Sequence, residues 1–128
     1  MNPMKTSRWL RAAAVVAGGA AGTGLRILAV ETIPSAGFPW ATLTVNLLGA
    51  AVLGFLLPRF LHHAAGPWSL LIGVGLLGAL TTFSTLIAEF DTLIRGGRGG
   101  IAVAYLATSV IGGLVVARTG MVLGGVHR

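Results

Sequence analysis

The sequence predicts an all-α integral membrane protein of four transmembrane helices, and three observations carry that prediction. The 128 residues are 55% hydrophobic and only 9% charged, where soluble domains carry roughly 25% charged residues. The mean hydropathy is +0.88. Charge-free runs cover residues 32–58, 64–88 and 99–117, and a helix needs roughly 17–25 apolar residues to cross a bilayer. A fourth apolar stretch, 9–30, is interrupted only by Arg11 near its start and Arg26 toward its end. Arg11 can snorkel to the interface, whereas Arg26 needs a partner or a cavity.

Taken in order, a basic start (Lys5, Arg8, Arg11) leads into helix 1, about 9–30. The stretch "AAAVVAGGAAG" imitates the apolar part of a signal peptide, but the apolar run continues to Arg26 and beyond, so cleavage is not expected. Thr32, Pro34, Ser35 and Gly37 mark a loop, and Pro39 suits an early position of helix 2, about 39–58, which is expected to end near Pro58-Arg59. "RFLHHAAGP" connects to helix 3, about 68–93, and "RGGRGG" breaks the chain before helix 4, about 100–118. Residues 1–128 therefore read as a single four-helix transmembrane domain.

Composition excludes several functions. With no cysteine there is no disulfide or thiolate chemistry. The net charge of +6 and pI near 11.8 do not imply nucleic acid, because the basic residues lie at helix ends, where they face lipid headgroups. His62 and His63 are adjacent, point apart on a helix, and have no third ligand nearby, so neither a metal centre nor an enzyme is expected.

Polar residues inside the spans each need a reason, since lipid penalises unsatisfied polar groups. On helix 2, Thr42, Asn46 and Gly49 share one face at i, i+4 and i+7. The Asn46 amide brings two donors into an apolar run, to serve either a polar ligand or a neighbouring helix. On helix 4, Tyr105 and Ser109 repeat the pattern, followed by Gly112-Gly113. Helix 3 carries "GALTTFSTLIAE" at 78–89, where hydroxyls beside a glycine-rich run compete for backbone carbonyls and break the helix near its middle. Freed carbonyls at membrane depth can ligate a cation. Beyond the break come Phe83, Ser84, Thr85 and Glu89, and Glu89 is expected to approach Arg26, since both lack a counter-charge. Donors from Asn46, Ser84, Tyr105 and Ser109, with the positive edge of Phe83, describe a site for a small anion. Glycines within the spans, including Gly18-x-x-x-Gly22, allow close helix packing and point to an oligomer.

At these residues the chain resembles the Fluc/CrcB family of bacterial fluoride channels. "GGAAGTGLR" (18–26) resembles the family's helix 1 signature, and "TLTVNLLGAAVLG" (42–54) its helix 2. "GALTTFST" with Glu89 resembles the helix 3 core, and Tyr105-x-x-x-Ser109 fits helix 4. The resemblance implies an antiparallel, dual-topology dimer in the inner (plasma) membrane, with two pores exporting fluoride passively from the cytoplasm. It implies Asn46 as a donor on the fluoride pathway, Phe83 as a lining ring, and Ser84, Tyr105 and Ser109 as pathway residues. It also implies a structural sodium ion at the dimer interface, held by the backbone carbonyls of Gly78 and Thr81.

Two departures from the family pattern bear on assembly. A second phenylalanine is usual three residues after the first, and here that position is Leu86. With Arg26 set aside as intramembrane, Lys5, Arg8, Arg11, Arg59, Arg118 and Arg128 fall on one side against Arg95 and Arg98 on the other, a bias toward one orientation. Both suit a subunit that pairs in a heterodimer with an oppositely oriented paralogue, an arrangement that the resemblance allows beside the homodimer. Two other classes compete. A small multidrug-type proton-coupled exporter needs a membrane-embedded carboxylate in helix 1, where the chain offers only Glu31 at the end. A non-transporting scaffold would use the same polar residues as helix glue.

Overall fold

The computed structural model describes residues 3–62 and 66–125, with the side chains of 3–7 and 62 left aside. His63 and Arg128 lie outside the described residues, as do the side chains of Lys5 and His62. Six α-helical segments make up the fold: α1 (Pro3–Thr32), α2 (Trp40–His62), α3 (Pro67–Ser69), α4 (Gly78–Leu80), α5 (Phe83–Arg95) and α6 (Gly99–Leu123). A π-helical stretch, Leu70–Leu77, joins α3 to α4. Four helical runs are long and apolar enough to cross a membrane: Arg8–Thr32, Trp40–Leu61, Pro67–Arg95 and Gly99–Leu123. No strand occurs among the described residues. The chain is a multi-pass membrane protein, and its exposed leucines, valines and isoleucines are the surface that lipid requires.

The helices overrun the lengths expected from charge and proline. Pro58 lies inside α2, which continues to His62. The ring removes one backbone donor, a loss that a helix reaching the interface tolerates. Pro39 precedes α2 rather than opening it, and its carbonyl accepts the Leu43 amide at 3.1 Å. At the other end of the bundle Arg98 ties the two loops together, its guanidinium donating to the Gly37 carbonyl.

α2 packs most extensively on α6, and α1 on the π-helical stretch. Both contacts are backbone to backbone. A β-carbon on Gly18 or Gly22 would collide with the Leu71 or Leu76 carbonyl, and one on Gly54 with that of Ala117. Gly75 answers from the π stretch: a β-carbon there would stand 2.7 Å from the Val15 carbonyl oxygen. Without a hydrophobic drive between helices in lipid, such close approach is what holds them. A small apolar core of Leu43, Leu86, Leu93, Ala102 and Tyr105 closes the α2–α5–α6 junction.

Candidate functional site

The third span is interrupted at two residues. Thr81 (φ −79°, ψ 150°) and Thr82 (φ −147°, ψ 123°) are extended, between α4 and α5. Thr82 restarts the helix as its N-cap: its Oγ1 accepts the Thr85 amide at 3.2 Å and donates to Thr85 Oγ1 at 2.9 Å. The Ser84 hydroxyl lies 3.3 Å from the same oxygen. From α2, the Asn46 amide grips the break on both sides. Its nitrogen donates to the Thr82 carbonyl at 3.0 Å, and its oxygen accepts the Thr82 amide at 2.8 Å. One amide imitates a strand neighbour, satisfying backbone that would otherwise be orphaned in lipid.

This capping has a consequence for the carbonyls before the break. In an unbroken helix the Thr82 amide would bond the Gly78 carbonyl and the Thr85 amide that of Thr81. Here Thr82 N–H goes to Asn46 and Thr85 N–H to the Thr82 hydroxyl. Phe83 and Ser84 N–H likewise make no backbone bond across the break among the described residues, so the carbonyls of Gly78, Ala79, Leu80 and Thr81 all stand without their helical donors. Uncharged, hard oxygen donors of this kind suit an alkali or alkaline-earth cation better than a transition metal. No group of three or more His, Cys, Asp or Glu side chains that could hold a metal occurs among the described residues.

A cleft of about 370 Å³ opens at the break, lined among others by Asn46, Gly49, Gly78, Thr81, Phe83 and Ser109. Phe83 stands at its mouth with 72% of its surface exposed. The Asn46 amide retains one N–H without a partner among the described residues. The Ser109 hydroxyl donates to the Tyr105 carbonyl at 2.8 Å and must turn from it to serve a ligand. Leu86 also lines the cleft but is 4% exposed, its bulk packed in the core.

Ser84 and Tyr105 do not line this cleft. Tyr105 is fully buried, edge-on to Phe38 at 5.5 Å, and its hydroxyl donates to Glu89 Oε2 at 2.6 Å. The other carboxylate oxygen accepts the Thr42 hydroxyl at 2.9 Å. This corrects the expected Glu89–Arg26 pair: hydroxyls from α2 and α6 hold the carboxylate instead. Arg26 lines a separate pocket of about 220 Å³ with Glu31, Thr42, Thr82 and Thr85, and makes no ion pair among the described residues. The ion pair among the described residues is Arg95–Asp91, exposed at the end of α5. Sequence reasoning placed Thr42 on a polar face but not its partner. The available signal was the scarcity of donors for a half-buried carboxylate, and Arg26 was one candidate too many.

Fold and site together define a four-span membrane protein whose third span is interrupted beside a largely apolar cleft that carries a few polar groups. Residues 13–121 match the sequence profile of the family described as CrcB-like protein, Camphor Resistance (CrcB), and the chain belongs to that family. It is 40% identical over 121 residues to the "Fluoride-specific ion channel FluC" of Xylella fastidiosa (strain M23), covering 91% of each chain. The protein of the same name from Deinococcus radiodurans is 42% identical, covering 84% of this chain and 89% of its own. That of Thermus thermophilus is 43% identical, covering 87% and 92%.

Proposed function

We propose that the chain is a fluoride-selective channel of the plasma membrane that lets fluoride leave the cytoplasm down its gradient. What carries the reading is similarity over most of the chain to relatives named fluoride-specific channels, joined to a cleft that holds an uncommitted amide donor. A small hydrated anion gives up water only where donors replace it. Asn46 offers one N–H, the Ser109 hydroxyl a second after turning, and Phe83 the positive edge of its ring. Ser84, Tyr105 and Glu89 belong to the same polar seam beyond the cleft, where a hydroxyl would have to leave its present partner to meet an anion. No step makes or breaks a covalent bond, so the protein works as a channel rather than an enzyme.

The same reading makes the working unit an antiparallel dimer. Phe83 and the cleft are left open on one chain, and the non-helical backbone of Thr81 and Thr82 beside it is tolerated in a membrane only where protein or a water-filled cavity covers it. The Gly78 and Thr81 carbonyls of two chains would supply four oxygens to a sodium ion on the dimer axis. Held by those carbonyls, such an ion would supply positive charge between the two interrupted helices. The chain's own contribution is the carbonyls freed at the break, of which the family resemblance assigns those of Gly78 and Thr81 to the ion.

Proteoliposomes loaded with potassium fluoride and containing this chain should release fluoride only when valinomycin balances the charge. Electroneutral release without the ionophore would remove the channel reading and favour an exchanger. A second experiment addresses the six-to-two basic bias, which favours a companion subunit of opposite orientation. A tag on either end of the singly expressed chain should be detected mainly on one membrane face, with weak rescue of a fluoride-sensitive strain. Equal detection on both faces with full rescue would establish a self-sufficient homodimer.

A further inference from the structure

Further toward the C-terminal ends of α2 and α6 than the cleft lies an apolar groove of about 420 Å³ between the two helices. Val52, Phe55 and Leu56 form one wall, Val116, Thr119 and Leu123 the other. At 3.6 residues per turn, Ala51 and Phe55 point away from Asn46, Gly49 and Leu53, which line the cleft, while Val52 and Leu56 border the Gly49 side. Nothing polar in the groove is available to a polar ligand, because its one hydroxyl, on Thr119, donates to the Val115 carbonyl at 2.9 Å.

The end of the groove is different. Arg59 follows Phe55 by one turn on the same face of α2, its guanidinium 4.8 Å from the Phe55 ring centroid. One N–H goes to the Phe55 carbonyl at 3.2 Å, which fixes the head over the groove wall and leaves its remaining donors free. An apolar trough in the lipid-facing surface with an exposed, fixed guanidinium at its interfacial end is built for an amphiphile with an anionic head. We infer that this groove is a binding site for an anionic phospholipid, the acyl chain lying along α2 and α6 and the phosphate paired with Arg59.

The proposal is independent of the fluoride reading and is tested by native mass spectrometry on the delipidated protein in detergent. The probes are dioleoylphosphatidylglycerol and dioleoylphosphatidylcholine, which share acyl chains and differ in net head charge. Retention of the anionic lipid should exceed that of the zwitterionic one about fivefold, and Arg59→Gln should erase the preference. Val52→Trp, which fills the groove, should lower retention of both. Equal retention of the two lipids, or a preference surviving Arg59→Gln, would overturn the site. Should Arg59→Gln fail to purify, the unmodified chain still decides: phosphatidylglycerol must raise the thermal midpoint above phosphatidylcholine, and inorganic phosphate must not. No difference between the lipids, or an equal rise with inorganic phosphate, rejects the proposal.

Discussion

Asn46→Asp should reduce fluoride flux at least about 100-fold and lower thermal stability at the same time. Two separate physical effects combine. For the ion, a carboxylate replaces an amide donor, and a like charge about 4 Å away costs about 4 kcal/mol at an effective dielectric of 20. For the fold, the aspartate still accepts the Thr82 amide, but the donor to the Thr82 carbonyl is gone. An acceptor then faces an acceptor at the 3.0 Å now spanned by a hydrogen bond. Losing that donor at a part-buried site costs about 1–3 kcal/mol, and more with a charge present. Fluoride-electrode recordings on reconstituted protein, paired with a melting curve in detergent, separate the two. A lower midpoint with normal flux would make Asn46 a clamp on the break and remove it from the ion's path.

That pairing marks how far residue patterns reach in a chain like this. The four spans follow from charge-free length, because lipid leaves the backbone few alternatives to helix. The polar face of helix 2 also follows, since Thr42, Asn46 and Gly49 lie at helical spacing. Which partner each polar group takes does not follow. Asn46 was readable as anion donor or as glue between helices, and the structure spends one of its donors on Thr82 and leaves the other. Glu89 went to Arg26 by elimination, yet two neutral hydroxyls from α2 and α6 satisfy its oxygens. Neutral donors are easily overlooked when charges are counted, though in lipid they answer a carboxylate well. The π-helical register of Leu70–Leu77 was equally hidden. Its side chains are apolar in either register, so no periodicity reports the change.

Gly22→Ala should be among the most damaging single substitutions in the molecule, despite adding one methyl group. The new β-carbon collides with the backbone carbonyl of Leu76 and crowds the Leu80 amide nitrogen, 3.0 Å away. Neither is the free end of a side chain, so the clash is relieved only by moving α1 off the third span. Overpacking costs about 1–3 kcal/mol where side chains can adjust, and backbone contacts place this case at or beyond the upper end. Moving α1 also disturbs Gly18 and Gly75, which sit in the same seam and meet backbone in the same way. Gly19→Ala is the matched control: same helix, same chemical change, and nothing within 4 Å of the added carbon. Helix propensity alone makes that change neutral or favourable by about 0.5–1 kcal/mol. Fluorescence-detected size exclusion and melting midpoints should therefore move in opposite directions for the two variants, with Gly22→Ala poorly expressed or aggregated. If both variants behave alike, α1 is held against the third span by lipid and loop constraints, and the glycine seam is incidental to the fold.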